Sequence, residues 1–357
     1  MRRLHTLCAL FSLLVMAMPA SGQLREQVST RAERWPVKTR EFVDLWFHGF
    51  ALLTDDSARV PLFRHGYRDG VTVDKNRRGL VTDFDANADE LRAQLVARPS
   101  LAQAQFAVLA FESDVEMDRA FAAFLSANGD PRKAPDRQTA QMVSYLAGYF
   151  PLAEDRDWAR KFTNGLKSER ERFFHDWWLD EQRRRAGALA AGDSLWQLVL
   201  RPSVSRFLNS TKQAGGSLLF SLPLEGEGRT ASFGERQNVI AVPLPDSAGD
   251  AVEALYVTAH ELVGAVTAAV IEDNLSPAQK RAGAGERLSA IALVRGGLML
   301  LQKAAPQMAD GYARFYLRVA QVRYEGDPLP ALERAFPLST ELADSMRRQI
   351  GLAFGGI

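Results

Sequence analysis

The residue pattern of the chain changes near position 215. Before it, apolar residues recur at helical spacing, for example at 42, 45, 46, 49, 50 and 53. From 215 to 244, short apolar runs alternate with glycine-rich turns and predict strands at about 217–224, 229–233 and 238–244. An apolar helical pattern follows, from a cap at Asp246 or Ser247 to about Glu272. The sequence therefore predicts a mostly α fold with a small β-sheet (α+β), in which the sheet directly precedes one apolar helix.

A second helix after the predicted sheet has a well-defined start. Ser276, Pro277 and Gln279 form a capping-box pattern with proline at the first helical position, and the helical pattern extends to about Gln302. We therefore divide the chain into three parts. These are a signal peptide at 1–22, a helical N-terminal region at 23–214, and a region at 215–357 with the sheet, both helices and further C-terminal helices.

The first 22 residues predict a secretory signal peptide. Arg2 and Arg3 give a basic start, residues 7–18 an apolar run too short to span a membrane, and residues 20–22 a small-residue cleavage site. Cys8 lies in this segment and is the one cysteine of the sequence, so the mature chain can form no disulfide. We expect a protein exported to the periplasm or the cell exterior, with no membrane span in the mature chain.

The charge balance does not favour nucleic-acid binding. The full chain has a net charge of +1, and without the signal peptide 42 basic and 43 acidic residues leave −1. A near-neutral chain gives no electrostatic argument for binding to nucleic acid or to an anionic membrane surface. The sequence also contains no Walker loop, dinucleotide fingerprint or G-x-S-x-G elbow. None of these observations identifies a partner. We consider a peptide or a protein as the binding partner.

The stretch LYVTAHELVGAV, residues 255–266, begins like the zinc-binding helix of a metallopeptidase. In the motif H-E-x-x-H, two histidines on adjacent helical turns bind zinc, and the glutamate takes a proton from the zinc-bound water. His260 and Glu261 match the first ligand and the catalytic base. Gly264 stands where the second histidine is needed, and glycine has no side chain with which to bind a metal.

Residues 215–304 resemble the core of the gluzincins, zinc peptidases whose third ligand is a glutamate on the following helix. The strands, the helix with HELVG, a turn and the helix with Glu286 come in the gluzincin order, and Glu286 falls 22 residues beyond position 264. This resemblance covers about a quarter of the chain. It implies that His260 and Glu286 bind a metal, that Glu261 is catalytic and that zinc is the cofactor. It also implies that 238–244 is an edge strand that aligns a substrate.

The chain departs from the gluzincin pattern at the second histidine. In the variant HExxGH of dipeptidyl-peptidase III the glycine is kept and the histidine comes one residue later, where this chain has Ala265. His260 and Glu286 alone would bind zinc weakly without a further ligand. We therefore expect an exported gluzincin-like protein with a degenerate zinc site, retained as a non-catalytic binding or scaffold module.

Two alternatives remain open. In the first, the chain is an active zinc-dependent hydrolase or peptidase, and another residue, such as His48, His65 or His175, completes the zinc site. In the second, the chain is an exported helical protein unrelated to peptidases, and a buried His260 simply hydrogen-bonds a carboxylate such as Glu286. A zinc site requires the side chains of His260 and Glu286 to converge beside an edge strand.

Arg295 is a lone charge in the apolar stretch LVRGGLMLL. A charge in such a stretch should be paired or should face a cleft. Of these two interpretations, we expect an internal salt bridge, with Glu272 or Asp273 as partner. The alternative is a contact between Arg295 and a substrate.

The remaining histidines of the mature chain give weaker indications. His48 lies four residues after Asp44 and predicts a helical pair on a partly exposed face. His65 lies in a basic loop, where we expect it to be solvated. His175 stands among aromatic residues, which favours core packing or an interhelix hydrogen bond over metal binding.

Overall fold

The structure is a computed structural model that describes residues 35–55 and 58–355. The predicted signal peptide, with Cys8, lies outside these residues. The protein is 70% helical, and its helices surround a small four-stranded mixed sheet. The predicted class, mostly α with a small β-sheet, is therefore confirmed.

The N-terminal half consists of one short strand and a series of helices: β1 (Val37–Lys38), α1 (Glu41–Leu53), α2 (Tyr67–Arg77), α3 (Asp83–Ala97), α4 (Asp114–Ser126), α5 (Arg137–Tyr149), α6 (Ala153–Glu169), α7 (His175–Arg184), α8 (Ala186–Leu195) and α9 (Arg201–Ser210). A 3-10 segment, Pro99–Ala110, separates α3 from α4. Two π-helical turns, Arg170–Phe174 and Trp196–Leu200, join α6 to α7 and α8 to α9.

The C-terminal half begins with the other strands and ends with helices: β2 (Gly216–Ser221), β3 (Arg229–Ser232), β4 (Asn238–Pro243), α10 (Val252–Leu262), α11 (Gly264–Asn274), α12 (Pro277–Arg281), α13 (Ala284–Ala304), α14 (Ala309–Val319), α15 (Pro328–Ala335) and α16 (Thr340–Ala353).

The strand order in the sheet is β1-β2-β4-β3. β1, β2 and β4 are parallel, whereas β3 runs antiparallel to β4, with Thr230 opposite Ile240. The expectation that 238–244 forms an edge strand is wrong, because β4 pairs on both sides and all six of its residues are buried. Pro243 fits there because it is the last residue of the strand. Among the strands that the structure describes, β1 and β3 lie at the edges of the sheet.

The other predicted boundaries in the C-terminal half agree closely with the structure, but both long helices are interrupted. The first is interrupted at Val263, between α10 and α11. The second is interrupted at Gly283, whose left-handed φ of 68° separates α12 from α13. The capping box predicted at Ser276 is present, with Gln279 as its reciprocal partner.

The stretch Ala248–Asn274 is long and apolar enough to cross a membrane by length and composition, but 72% of its apolar window is buried inside the protein. α10 packs on β4 and α13, and α11 packs on α13 and α16. α10 and α11 together thus form an interrupted central helix of the C-terminal half, and α10 holds His260 in the interior.

The N-terminal half shares its core with the sheet. β1 comes from this half but pairs with β2, and the indole of Trp35 donates to Gln213 O at 3.1 Å. α1 is buried along nearly its whole length and packs against α6, where Trp46 meets Phe162 edge to face. Gly49 permits this approach, because a Cβ there would lie 2.7 Å from Phe162 Cζ.

Candidate functional site

The C-terminal end of α10 carries His260 and Glu261. The helix packs on β4 and ends at Leu262, just before the interruption at Val263. Gly264, at the position of the missing second histidine, is buried at the start of α11. The positions of a zinc motif therefore lie on either side of a helix break.

The two ring nitrogens of the buried His260 have different surroundings. Nδ1 lies 3.0 Å from Glu261 Oε1, whereas Nε2 has no hydrogen-bond partner among the described residues. The imidazole stacks on the ring of Tyr316, with centroids 5.5 Å apart and planes inclined by 19°. α13 comes so close that a Cβ at Gly297 would lie 3.1 Å from His260 Cα. His260 is thus packed against both α13 and α14.

The Glu261 carboxylate bonds to the edge strand β3 and to the residue before it. Oε1 accepts from Gly228 N at 3.1 Å, and Oε2 accepts from Thr230 Oγ1 at 2.8 Å. Burial by itself raises the pKa of Glu261, but the hydrogen bond and electrostatic effect of His260, the Thr230 hydroxyl and the charge of Arg229 outweigh it and hold this pKa below its ordinary value. Glu261 is therefore ionised at neutral pH, and His260 Nδ1 is the donor in the bond between them.

Glu261 is in direct contact with the chain beside it, with no cleft between them. A Cβ at Gly228 would lie 2.7 Å from Glu261 Cγ and 2.4 Å from Ala241 O, so a larger residue would collide with both. A glutamate that acts on a metal-bound water must reach that water with one of its oxygens. Here the carboxylate instead forms part of the contact between α10 and β3.

Buried polar contacts also fix the residues that lead into β3. Arg229 Nη1 lies 3.3 Å from Glu227 Oε2, and Nε and Nη2 donate to Gln105 Oε1 at 3.0 and 2.8 Å. The Tyr316 hydroxyl donates to Gly226 O at 3.2 Å, and burial raises its pKa well above the ordinary value. The segment that would border a peptidase cleft is therefore tied to the core on several sides.

The structure does not bring Glu286 to His260. Glu286 is exposed in the first turn of α13, whereas His260 packs against Gly297, eleven residues further along this helix. Eleven residues of α-helix span about 16 Å. The two residues are thus too far apart to share a metal ion, and the hydrogen bond between them that the alternative interpretation considered is absent, because His260 bonds Glu261 instead.

The other histidines make contacts away from Gly264. His65 is half exposed and lies 3.1 Å from Glu225 Oε2. His175 is also half exposed and makes an interhelix bond of 3.0 Å to Glu41 on α1, as one of the two interpretations of its sequence position predicts.

The residues at the predicted site do not fit zinc. His260 Nε2 is a suitable ligand atom, but neither Gly264 nor Glu286 supplies a second one. Within 35–55 and 58–355, no group of three or more His, Cys, Asp or Glu side chains is placed to hold a metal ion. A stable zinc site needs at least three protein ligands.

Arg295 forms the expected internal salt bridge, but with a different partner. Its Nη2 lies 2.7 Å from Glu333 Oε1, and its Nη1 donates to Phe336 O at 3.3 Å at the C-terminal end of α15. The expected partners Glu272 and Asp273 are not involved, because the side chain points from α13 to α15. With 6% of its surface exposed, Arg295 is not placed for contact with a substrate.

A second polar site, which the sequence did not reveal, lies inside the N-terminal half. We call it the His48 cluster: His48, Tyr67, Lys75, Asp85 and Glu169. His48 Nδ1 lies 2.9 Å from Tyr67 Oη and Nε2 lies 3.1 Å from Glu169 Oε1. Lys75 Nζ donates to Glu169 Oε2 and to Asp85 Oδ1, each at 2.7 Å.

Charge pairing decides the ionisation of the His48 cluster. Burial by itself raises the pKa of Glu169, but the bonds and charges of His48 and Lys75 outweigh it and lower this pKa to about 2. Burial also lowers the pKa of His48, against the opposing effect of Glu169. At neutral pH, the buried Glu169 carboxylate is therefore balanced by the Lys75 ammonium group.

Asp44 is a separate buried carboxylate on α1. Oδ1 accepts from Ser221 Oγ at 2.5 Å and from Leu222 N at 3.3 Å, and Oδ2 accepts from Trp178 Nε1 at 2.7 Å. Burial raises the pKa of Asp44 from 3.8 to about 7, although these hydrogen bonds act to lower it. The predicted pair with His48 on a partly exposed face is wrong, because both side chains are buried and each has other partners.

One sequence pattern does indicate that Asp44 and His48 are buried. Asp44 and His48 lie in EFVDLWFHGFALL, where apolar residues surround them on every side of the helix. A helix that is apolar all round is buried, so its polar side chains require internal partners. By contrast, no pattern in the sequence predicts the π-helical turn Arg170–Phe174. This turn follows Glu169 and brings both Glu169 and Phe174 next to His48.

Comparisons of the chain with protein-family models, with curated proteins and with solved structures found no significant match.

Proposed function

We propose that the chain is an exported, non-catalytic binding or scaffold protein in which the His-Glu pair of a gluzincin-like helix is retained as architecture. Its export rests on the basic start and apolar run of the first 22 residues. The single observation that carries the non-catalytic role is the bonding of Glu261, whose two oxygens both accept hydrogen bonds, from Gly228 N, Thr230 Oγ1 and His260 Nδ1.

In this proposal, Glu261 links the central helix to the edge of the sheet. It accepts from a main-chain N–H and a hydroxyl of the β3 segment, and it orients His260 against Tyr316. Buried donors that keep an acceptor avoid a desolvation cost of about 1–3 kcal/mol each. This contribution to stability gives a physical reason for the pair that does not involve catalysis.

An active zinc-dependent hydrolase is the second candidate, and one observation favours it. His260 Nε2 is buried without a hydrogen-bond partner among the described residues, which is the state of a ligand atom before its metal binds. This candidate requires a rearrangement that brings further ligands to His260, since Glu286 lies about 16 Å away along α13.

Zinc content and peptide hydrolysis distinguish the two candidates. We expect elemental analysis of the purified mature chain to find far less than one zinc per chain, both in the natural sequence and in His260→Ala. We also expect no cleavage of a peptide library and no rise in the unfolding temperature on addition of Zn²⁺, since a ligand stabilises a fold only when it binds the native state. One zinc per chain that is lost in His260→Ala would favour the hydrolase.

A further inference from the structure

A groove of about 450 Å³ opens beside β1, at the opposite edge of the sheet from Glu261. We call it the β1 groove. Its volume lies within the range of small-molecule and cofactor sites, about 300–1,000 Å³. The residues that define its walls come from β1, the residue after it, α7 and α8: Val37, Thr39, Trp178, Gln182, Leu189 and Asp193.

The strand β1, which borders this groove, has main-chain groups that face away from its partner strand β2. In a parallel ladder, alternate residues face the partner strand. Pro36 O accepts from Leu218 N, so Pro36 and Lys38 face β2 and Val37 faces away. Among the described residues, none forms a hydrogen bond with the N–H or C=O of Val37. A free strand edge of this kind can pair with another extended chain.

The helical wall of the groove combines an apolar surface with an unsatisfied polar group. The Trp178 indole is held in place by its bond of 2.7 Å to Asp44 Oδ2. Gln182 Nε2 is buried and has no hydrogen-bond partner among the described residues. An acceptor on a ligand in the groove, such as a peptide carbonyl, would satisfy this nitrogen.

Asp193 determines which charge the groove attracts. Among the described residues that line the groove, it is the sole ionisable one. Its Oδ1 accepts from Gln197 Nε2 at 3.3 Å, which leaves Oδ2 available to another donor. A negative charge in the lining of a partly apolar groove favours a ligand with a basic group.

We propose that the β1 groove binds an extended peptide that carries a basic residue and adds to the sheet as a strand beside β1. The peptide main chain pairs with Val37, one of its carbonyls accepts from Gln182, an apolar side chain packs on Trp178, and the basic residue pairs with Asp193. The inference rests on the proposed function, because it supplies the ligand class of the binding module.

The test uses defined peptides and the full mature chain. The probes are fluorescently labelled eight-residue peptides of alternating valine and threonine with one lysine, and a matched set with glutamate in its place. Val37→Pro removes the outward N–H and leaves the bonds between β1 and β2 intact, because proline is tolerated at an edge position that faces away from the partner strand. Asp193→Asn removes the charge, and Asp180→Asn, at a half-exposed position on α7 outside the groove lining, is the matched control.

We expect the lysine peptides to bind and the glutamate peptides to bind more weakly. Val37→Pro should weaken lysine-peptide binding about tenfold, the typical effect of one lost hydrogen bond. Asp193→Asn should weaken it about threefold at low salt, as for an exposed ion pair. Asp180→Asn should have no effect, and binding should shift the amide NMR resonances of residues next to Val37.

Three results would overturn the proposal. These are no binding of either peptide set, lysine-peptide binding that is insensitive to Val37→Pro, and self-association of the chain that Val37→Pro abolishes, because the occupant would then be a second copy. The zinc measurement is independent of all three. If the peptides do not bind and the protein contains no zinc, the groove proposal fails but the architectural role of Glu261 stands. If the protein contains zinc, that architectural role is contradicted, whether or not the groove binds a peptide.

Discussion

Replacement of Glu169 by alanine will lower the free energy of unfolding by about 3–5 kcal/mol. The substitution removes the carboxylate that accepts from Lys75 and His48 in a fully buried site. Lys75, whose side chain is 5% exposed, would keep a single carboxylate partner, Asp85. A buried charge that loses its counter-charge costs far more than an exposed one, because desolvation is no longer compensated. Urea denaturation at pH 7 measures this loss.

Glu171→Ala is the matched control for Glu169→Ala. Glu171 lies two residues further along the same helical stretch and is exposed, so its removal should change the free energy of unfolding by less than about 0.5 kcal/mol. In the double variant Glu169→Gln with Lys75→Met, neither charge remains, so the loss should be smaller than in Glu169→Ala. Equal effects of Glu169→Ala and Glu171→Ala would mean that the His48 cluster does not stabilise the fold.

The stability contributed by Asp44 will fall as the pH rises from about 4 to about 7. Burial raises the pKa of Asp44 from 3.8 to about 7, so over this interval the folded protein holds a proton that the unfolded chain has released. The folded state is therefore favoured below pH 4, and this advantage is lost by about pH 7. A shift of this size corresponds to about 4 kcal/mol.

Comparison with Asp44→Asn isolates this effect from other carboxylates. Glu169 acts in the opposite direction, because its pKa of about 2 gives stability above pH 4.5 that is lost as the pH falls. Glu169 contributes equally to the free energy of unfolding of the natural sequence and of Asp44→Asn, so its contribution cancels when one free energy is subtracted from the other. We expect the difference to decrease by up to about 4 kcal/mol between pH 4 and pH 8. A constant difference would mean that Asp44 ionises as an exposed carboxylate does.

The sequence predicted much of the fold because local patterns determine it. The strands β2, β3 and β4 and the capping box at Ser276 followed from apolar alternation, glycine-rich turns and side-chain capping chemistry. The strand order was not predictable in this way. β4 lies between β2 and β3 through pairings between distant segments, and a terminal proline such as Pro243 is compatible with either a central or an edge strand.

The candidate site was harder to predict because it depends on how α13 lies against α10. The spacing from position 264 to Glu286 is typical of a gluzincin, but the close approach of the helices occurs at Gly297 instead. Glycine at this position lets α13 approach His260 where a larger residue would collide with Tyr312. Glu286 is thereby left at the exposed start of the helix. Sequence separation alone cannot determine which turn of the second helix faces the first.

The unfolding energy of Glu261→Ala, measured beside that of Glu272→Ala, tests the architectural role of the His-Glu pair most directly. Glu272 is an exposed carboxylate on the same stretch of helix, so its loss should cost less than about 0.5 kcal/mol. Loss of Glu261 removes the acceptor of Gly228 N, Thr230 Oγ1 and His260 Nδ1, and it should cost about 2–4 kcal/mol. Unchanged or increased stability in Glu261→Ala, together with a loss of peptide hydrolysis, would contradict the account and identify Glu261 as a catalytic base.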